Sequence, residues 1–464
     1  MVAFAPCGGY AKALAEDGDV SEHFTPHIIF GANPMWFAGV VLCVTYALIV
    51  WDRLNRAIIA LVAAGIVVLS GALDQAEAIE GIDWNTIGTL AGLMIITSIA
   101  QRSGVFQYAA IRSAQLARAH PAILLLLVQL VTFGLSAILN NVSTVLLVAP
   151  VTLAVTRELQ IAPFPFLFAE VLASNIGGTA TLVGDPPNIM IGSQAGLSFN
   201  SFLVHLAPVV VVVQMAQVAM AHLVWGRATH ATTENRLRVM TMDARAAIVD
   251  LPLLLQSIAV LAVVIGALIF EDQLHLQPAT IAMGGAALLM LLDNWEHRRE
   301  KQTDKVTQTF TEVEWITIFF FVGLFIVVHA VEVSGLLQLL AGKLVAVTGD
   351  NIALGGTIIL WLSALLAAIV DNIPFVAVMI PVIKSMAPAY GGAEHIAPLW
   401  WCLSLGACLG GNGTLIGATA NLTIAGVAER NGVAFGFVKY TLYALPMMIV
   451  SILICQVYVW LRYF

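Results

Sequence analysis

An interrupted apolar stretch occurs twice in this chain, and the repetition limits the architectures open to it. The first copy reads AILNNVSTVLLVAPV (Ala137 to Val151), then ASNIGGTATLVGDPPNIMIGS (Ala173 to Ser193). The second reads AIVDNIPFVAVMIPV (Ala368 to Val382), then LGACLGGNGTLIGATANLT (Leu405 to Thr423). Asn140 pairs with Asp371, Asn141 with Asn372 and Pro150 with Pro381, all 231 residues apart. Gly177, Gly178, Thr181 and Asn188 pair with Gly410, Gly411, Thr414 and Asn421 at an offset of 233. Upstream, DWNTIGTLAGL (Asp83 to Leu93) matches EWITIFFFVGL (Glu314 to Leu324), and Ser103-Gly104 matches Ser334-Gly335, again 231 apart. So small a drift over so long a stretch marks a duplication, and a duplicated chain builds related halves.

Each copy sits in a chain apolar enough for a bilayer. Of 464 residues, 60% are hydrophobic and 10% charged, where soluble domains carry about 25% charged residues. This is the composition of a multi-pass membrane protein, not of an enzyme or a nucleic-acid binder. Spans of crossing length are expected near 31–51, 55–73, 85–101, 201–226, 248–270, 275–292, 312–331 and 436–460. The interrupted segments 121–157 and 351–387 read as re-entrant helical hairpins turning at NNVST and DNIPF. The segments 163–195 and 396–428 read as crossing helices broken at their glycine-rich stretches, and 103–119 and 334–349 as surface helices. Hydrocarbon cannot satisfy the backbone groups freed at such breaks, so they belong where protein surrounds a cavity. A carrier's binding site is the usual reason to build one.

Positive charge orders these segments across the membrane. With residues 1–30, a polar lead-in, placed outside, sixteen of the twenty Lys and Arg fall on the cytoplasmic side, Arg56 and Arg102 among them. Only Lys12, Lys343, Lys384 and Arg462 remain outside, and both termini lie there. The fold class expected is therefore an all-α polytopic membrane protein. Its two inverted repeats, 31–226 and 248–464, each have five crossings (one a broken helix) plus one hairpin. Five crossings is an odd number, so the second copy must be inverted. A cytoplasmic linker, 227–247, joins the halves.

Several residues carry chemistry in this layout. Asp371 has no basic residue within ten positions on either side, and an ionisable group at membrane depth marks an ion or proton path by default. It can also cap a helix start. Asp185, in GDPPN, suits a cap ahead of Pro186 and Pro187 as well as a coupling role, and Glu170 in FLFAEVLASN offers a proton relay or an interhelical hydrogen bond. The candidate substrate-binding set comprises Asn140, Asn141, Ser143, Thr144, Thr179, Asn188, Asn372, Asn412, Thr414 and Asn421, together with the glycine pairs 177–178 (Gly177, Gly178) and 410–411 (Gly410, Gly411). Singly, each of these polar groups is more often a cap or an interhelical bond. The glycines allow close backbone approach and lack the strand and GK[ST] of a phosphate loop. Cys7, Cys43, Cys402, Cys408 and Cys455 show no metal or redox spacing, and Cys408 could offer a thiol to a soft ligand, though buried Cys is usually a small hydrophobe.

The GDPPN of Gly184–Asn188, the DNIPF of Asp371–Phe375 and the GTLIGATAN of Gly413–Asn421 resemble the ion transporter superfamily, nearest to its branch of ArsB-type arsenite efflux permeases and the melanosomal P protein. The resemblance runs from about residue 31 to the end. It implies a scaffold domain beside a transport domain of two hairpins and two broken helices, in a secondary carrier that is often a homodimer.

Three substrates are then in play: arsenite or antimonite expelled against protons, sodium exchanged for protons, or a dicarboxylate or other anion. Arsenous acid is neutral, which suits amide and hydroxyl groups without Arg or Lys, and Asp371 would carry the proton. Na⁺ would bind oxygen ligands directly. Two carboxylates and no cationic side chain at the expected site argue against an anion, unless bound sodium supplies the positive charge. No cofactor is expected beyond a bound Na⁺ or H⁺ as coupling ion. The expected partners are the lipid bilayer of the inner membrane and, for an arsenite pump, a cytoplasmic ATPase subunit, with no nucleic acid.

Overall fold

The computed structural model describes Pro26, Ile28 and residues 31–464 except 52, 227, 228, 296 and 350. The lead-in expected at 1–30, Cys7 included, falls almost wholly outside them. Every regular element among the described residues is helical. Seven helices are long and apolar enough to cross a membrane: Pro34–Trp51, Ala207–Trp225, Leu251–Ile269, Trp315–Val333, Ile352–Ile369, Asn372–Tyr390 and Phe437–Tyr463. Arg56–Leu69 has only 14 residues, or about 21 Å at 1.5 Å per residue. Its N-terminal end lies at the site described below.

Two sets of contacts recur in the two halves. Gly323 lies against the backbone of Ala60, pressing helix Trp315–Val333 onto Arg56–Leu69, and Gly92 lies against Ala282, pressing Trp84–Arg102 onto Pro278–Asn294. Each half thus lends a helix to the other's scaffold. In the second set, Gly177 packs on Phe133 and Gly410 on Ala364, joining each broken helix to the first helix of the preceding pair. Thr181 and Thr414 each donate from their hydroxyl to the carbonyl where that helix ends, Ala137 and Ala368.

The breaks fall in the polar stretches. Pro121–Ser136 and Asn141–Glu158 meet at Asn140; Ile352–Ile369 and Asn372–Met386 meet at Asp371. Phe164–Thr179 gives way to Pro186–Ala195, and Ala397–Gly410 to Thr419–Arg430. Gly104 (φ +82°) and Gly335 (φ +84°) turn the chain left-handed into the helices Val105–Leu116 and Leu336–Thr348, which accounts for the repeated Ser-Gly.

Two segments are more structured than their composition suggests. The linker holds a helix, Thr233–Met240, anchored where the Asn235 amide donates to the Leu159 carbonyl and Arg236 to that of Arg118. A polar helix, Arg299–Glu312, precedes the Trp315–Val333 span. Lys305 reaches the buried Asp293 at 2.8 Å, with Arg102 at 3.7 Å from its other oxygen.

The glycine contacts make a sharp prediction. A Cβ on Gly177 would lie 2.3 Å from the Phe133 carbonyl oxygen, and one on Gly410 2.5 Å from that of Ala364. Both obstacles are backbone, and a packed interior has no slack to move it. Gly177→Ala and Gly410→Ala should each remove most folded protein from a detergent extract run by size exclusion. Gly134→Ala, whose Cβ meets nothing within 4 Å, should behave like the parent or be up to about 1 kcal/mol more stable.

Candidate functional site

The starts of four helices, at Asn141, Pro186, Asn372 and Thr419, surround one narrow cavity with Arg56, Glu314 and Thr317. A helix start carries roughly half a positive charge and is a ready anion site, so the cavity gathers positive potential from backbone alone. Three carboxylates answer it: Asp185, Glu314 and, just behind, Asp371.

Arg56 is the residue whose partners sequence reasoning did not foresee. It opens helix Arg56–Leu69, and its guanidinium lies 2.9 Å from Asp371 Oδ2, 2.7 Å from Thr419 Oγ1 and 3.2 Å from Thr317 Oγ1. The Phe320 ring, 5.3 Å away at its centroid, backs it. A cation at a helix start opposes the helix dipole; the carboxylate of Asp371 compensates. The expectation of a site without a cationic side chain is therefore corrected. Asp371 is isolated in the sequence but ion-paired in the fold, because packing brings in a helix 315 residues distant.

Asp371 also caps its helix, accepting from the Ile373 N–H at 3.1 Å, and takes a hydroxyl bond from Thr419 at 3.1 Å. Arginine, threonine and a helix N–H thus form a carboxylate cradle, and the chain's own carboxylate fills it.

Asp185 behaves differently. It precedes Pro186, but its side chain makes no cap bond, since Pro187 at the second helical position offers no N–H and the N–H of Asn188 goes to the Asp185 carbonyl at 3.0 Å. One oxygen accepts from the Asn141 amide at 3.2 Å, and the other is buried without a partner. The Asn372 amide nitrogen lines the same cavity and is likewise buried and unpartnered. An orphaned acceptor and an orphaned donor on one cavity are costly unless something binds between them. The duplication explains the orphan donor. Asn141 finds Asp185 and Asn175, whereas the equivalent positions in the other half hold Ala418 and Cys408.

Asn175, which sequence reasoning passed over, is the hub. Its amide nitrogen donates to the side-chain oxygens of Asn412 and Asn421, both at 2.8 Å, and its oxygen accepts from Asn141 at 3.3 Å. The signal was an asparagine beside a duplicated glycine pair; it went unread because its partner position, Cys408, is not an amide. Asn188 and Asn421 lace the helix breaks. Asn188 donates to the carbonyls of Gly178, Thr179 and Thr181, and Asn421 to those of Gly411 and Thr414. Each accepts on its oxygen from the opposite half: Asn188 from Ser404 at 2.6 Å and Cys408 at 3.5 Å, Asn421 from Asn175.

The remaining candidates divide in the same way. Asn140 caps Val142 and lines the cavity. The hydroxyls of Thr144 and Thr179 bond to helix carbonyls one turn back, and Asn412 leans on the Leu172 carbonyl at 3.5 Å. Ser143 is half-buried, and Gly177, Gly178, Gly410 and Gly411 are packing positions. Cys408 is wholly buried. Glu170 is buried between two helices, taking a bond from Thr152 at 3.0 Å and lining none of the cavities around Arg56.

A helical membrane protein in which broken helices from two related halves converge on a charged cavity belongs to the transporter class. Comparison with known proteins gives the family: residues 46–406 match the citrate transporter family CitMHS, and the chain belongs to it. An uncharacterised transporter of Mycobacterium bovis is 41% identical over 92% of this chain and 98% of its own length. The P protein of Sus scrofa is 30% identical over 91% of this chain and 58% of its own length. Among solved structures, the YdaH transporter of Alcanivorax borkumensis shares the fold, with a TM-score of 0.57 over 92% of this chain and 97% of its own at 15% identity. This is a multi-pass membrane transporter.

Proposed function

We propose that the chain is a secondary active carrier of a small organic anion, in which Arg56 receives a carboxylate and Asp371 gives it up. The carrying observation is the cradle itself: Arg56, Thr419 and the Ile373 N–H already hold one carboxylate. Substrate and Asp371 compete for one guanidinium. A protonated Asp371 releases Arg56 to the substrate, and an ionised one takes it back, so proton and anion move together and the empty carrier returns with a neutral pair. This replaces exchange of arsenite for protons, which rested on a site free of cations. The description of the matched family as a citrate transporter also favours an anion.

The test is uptake into proteoliposomes of radiolabelled carboxylates, of arsenite and of sodium, each under an imposed pH gradient. Accumulation of a carboxylate with the inside alkaline supports the reading; accumulation of arsenite or sodium alone overturns it. A second reading, sodium bound at Asp185, is favoured by that residue's unpartnered oxygen. It predicts carboxylate uptake that follows a sodium gradient at constant pH.

The same proposal places the halves inverted in an inner membrane, one helix pair opening to each side and their tips meeting between. Cysteines replacing the exposed Glu158 and Glu394 should then react with an impermeant maleimide from opposite faces, Glu158→Cys from the cytoplasm and Glu394→Cys from outside. Labelling of both from one face would remove the inversion, and with it this account of access.

A further inference from the structure

Glu314 and its repeat partner Asp83 put the same position to different uses. Each stands immediately before a helix, in the matched stretches DWNTIGTLAGL and EWITIFFFVGL. Asp83 caps its helix, accepting from the N–H groups of Asn85 and Thr86 at 3.1 Å and from the Thr86 hydroxyl at 2.7 Å. Glu314, one methylene longer, makes no cap bond. It keeps the matching hydroxyl bond, from Thr317 at 3.2 Å, and lines the cavity beside Arg56. Thr317 in turn accepts from the Arg56 guanidinium at 3.2 Å. Carboxylate, hydroxyl and guanidinium thus form a chain, and the guanidinium's other terminal nitrogen holds Asp371. The two carboxylates also differ in what carries them. Glu314 and Thr317 belong with the helix that Gly323 presses onto Arg56–Leu69. Asp371 and Thr419 stand at the starts of Asn372–Met386 and Thr419–Arg430.

We infer that Glu314 is a positioning residue for Arg56. It keeps a carboxylate near the guanidinium whether Asp371 or a substrate occupies it, and so weakens the grip on substrate enough for release. This role rests on the anion reading above and adds to it. An arginine among four helix starts in a narrow cavity would hold an anion firmly, and a fixed negative charge one hydroxyl away opposes that hold. Asp185 is the other carboxylate lining this cavity, with Asp371 just behind it.

The purified full chain is titrated with citrate and with succinate, and affinity is taken from the rise in thermal unfolding, since a ligand that binds only the native state raises it. Asp371→Asn, which takes the chain's own carboxylate from Arg56, is compared with Asp371→Asn/Glu314→Gln. The double variant should bind both anions about tenfold more tightly, as expected for loss of a like charge a few ångströms away in a partly buried site. In proteoliposomes at a series of pH values, uptake by Glu314→Gln should reach half its maximum at a lower pH than uptake by the parent. Without Glu314, Arg56 holds the ionised Asp371 more firmly, so more acid is needed to protonate it. A merely structural fault would lower the rate and leave the profile in place. Equal or weaker binding in the double variant, or an unmoved profile, would overturn the role of Glu314 and leave the anion reading standing. Where Glu314→Gln is not recovered folded, Thr317→Val, which cuts the link to Arg56, takes its place with the same expectations. Loss of both variants would make Glu314 and Thr317 structural partners and overturn the positioning role. Failure of citrate and succinate alike to shift either the parent or Asp371→Asn would overturn the anion reading itself.

Discussion

Arg56→Gln should abolish carboxylate transport, at least a hundredfold in initial counterflow rate, and destabilise the protein at the same time. The two effects have separate origins. Transport fails because glutamine cannot present a charged, forked donor to a carboxylate. Stability falls because the change strands Asp371, whose side chain is 14% exposed, and breaking a buried pair from one side costs about 3 kcal/mol or more. Adding Asp371→Asn removes the stranded charge. The double variant should recover most of the lost thermal stability yet remain inactive. Arg56→Lys should retain the pair and lose selectivity, since a lysine ammonium cannot offer two parallel bonds. The paired readouts, unfolding midpoint and counterflow, separate a binding role from a structural one. If Arg56→Gln transports within threefold of the parent, the cradle is not the substrate site.

Asn175→Ala should be the most damaging single change among the amides, and Cys408→Ala, at the equivalent position of the other half, nearly silent. Asn175 holds three buried groups, the side-chain oxygens of Asn412 and Asn421 and the amide of Asn141. A buried polar group left unpaired costs about 1–3 kcal/mol, so their joint loss is a large share of a membrane protein's margin. Cys408 donates a long thiol bond to Asn188, and Ser404 supplies the same oxygen at 2.6 Å. Position 171 of the first half, matching Ser404, is valine and gives Asn421 no such second donor. Heat-aggregation midpoints of the two variants, measured in one detergent, should differ by several degrees. Equal midpoints would mean that the amide hub carries no special weight.

The positions of the breaks, the helical class and the pairing of the halves were legible in the residues themselves. Prolines and asparagines inside apolar runs interrupt a helix wherever they stand, and a duplication leaves its offset in the letters. Asp371 was legible for the same reason, a charge where hydrocarbon tolerates none. Two other residues hold more than their local pattern shows. Asp185 has the local pattern of a cap, yet Pro187 offers no N–H and that of Asn188 goes to the Asp185 carbonyl. Arg56 has the local pattern of a loop charge at a membrane edge, and nothing local shows that it meets Asp371.

Local sequence determined that a carboxylate would stand at the tip of the second helix pair. Only the tertiary structure decided what it meets there. The helix that carries Arg56 is drawn in by glycine packing between opposite halves, Gly323 on Ala60, and no periodicity or spacing along one half encodes a contact between side chains 315 positions apart. The same holds for Asn175, whose partners Asn412 and Asn421 belong to the other copy. A duplicated sequence fixes what each half can build, and the charge and hydrogen-bond balance of the site arises only where the halves interlock.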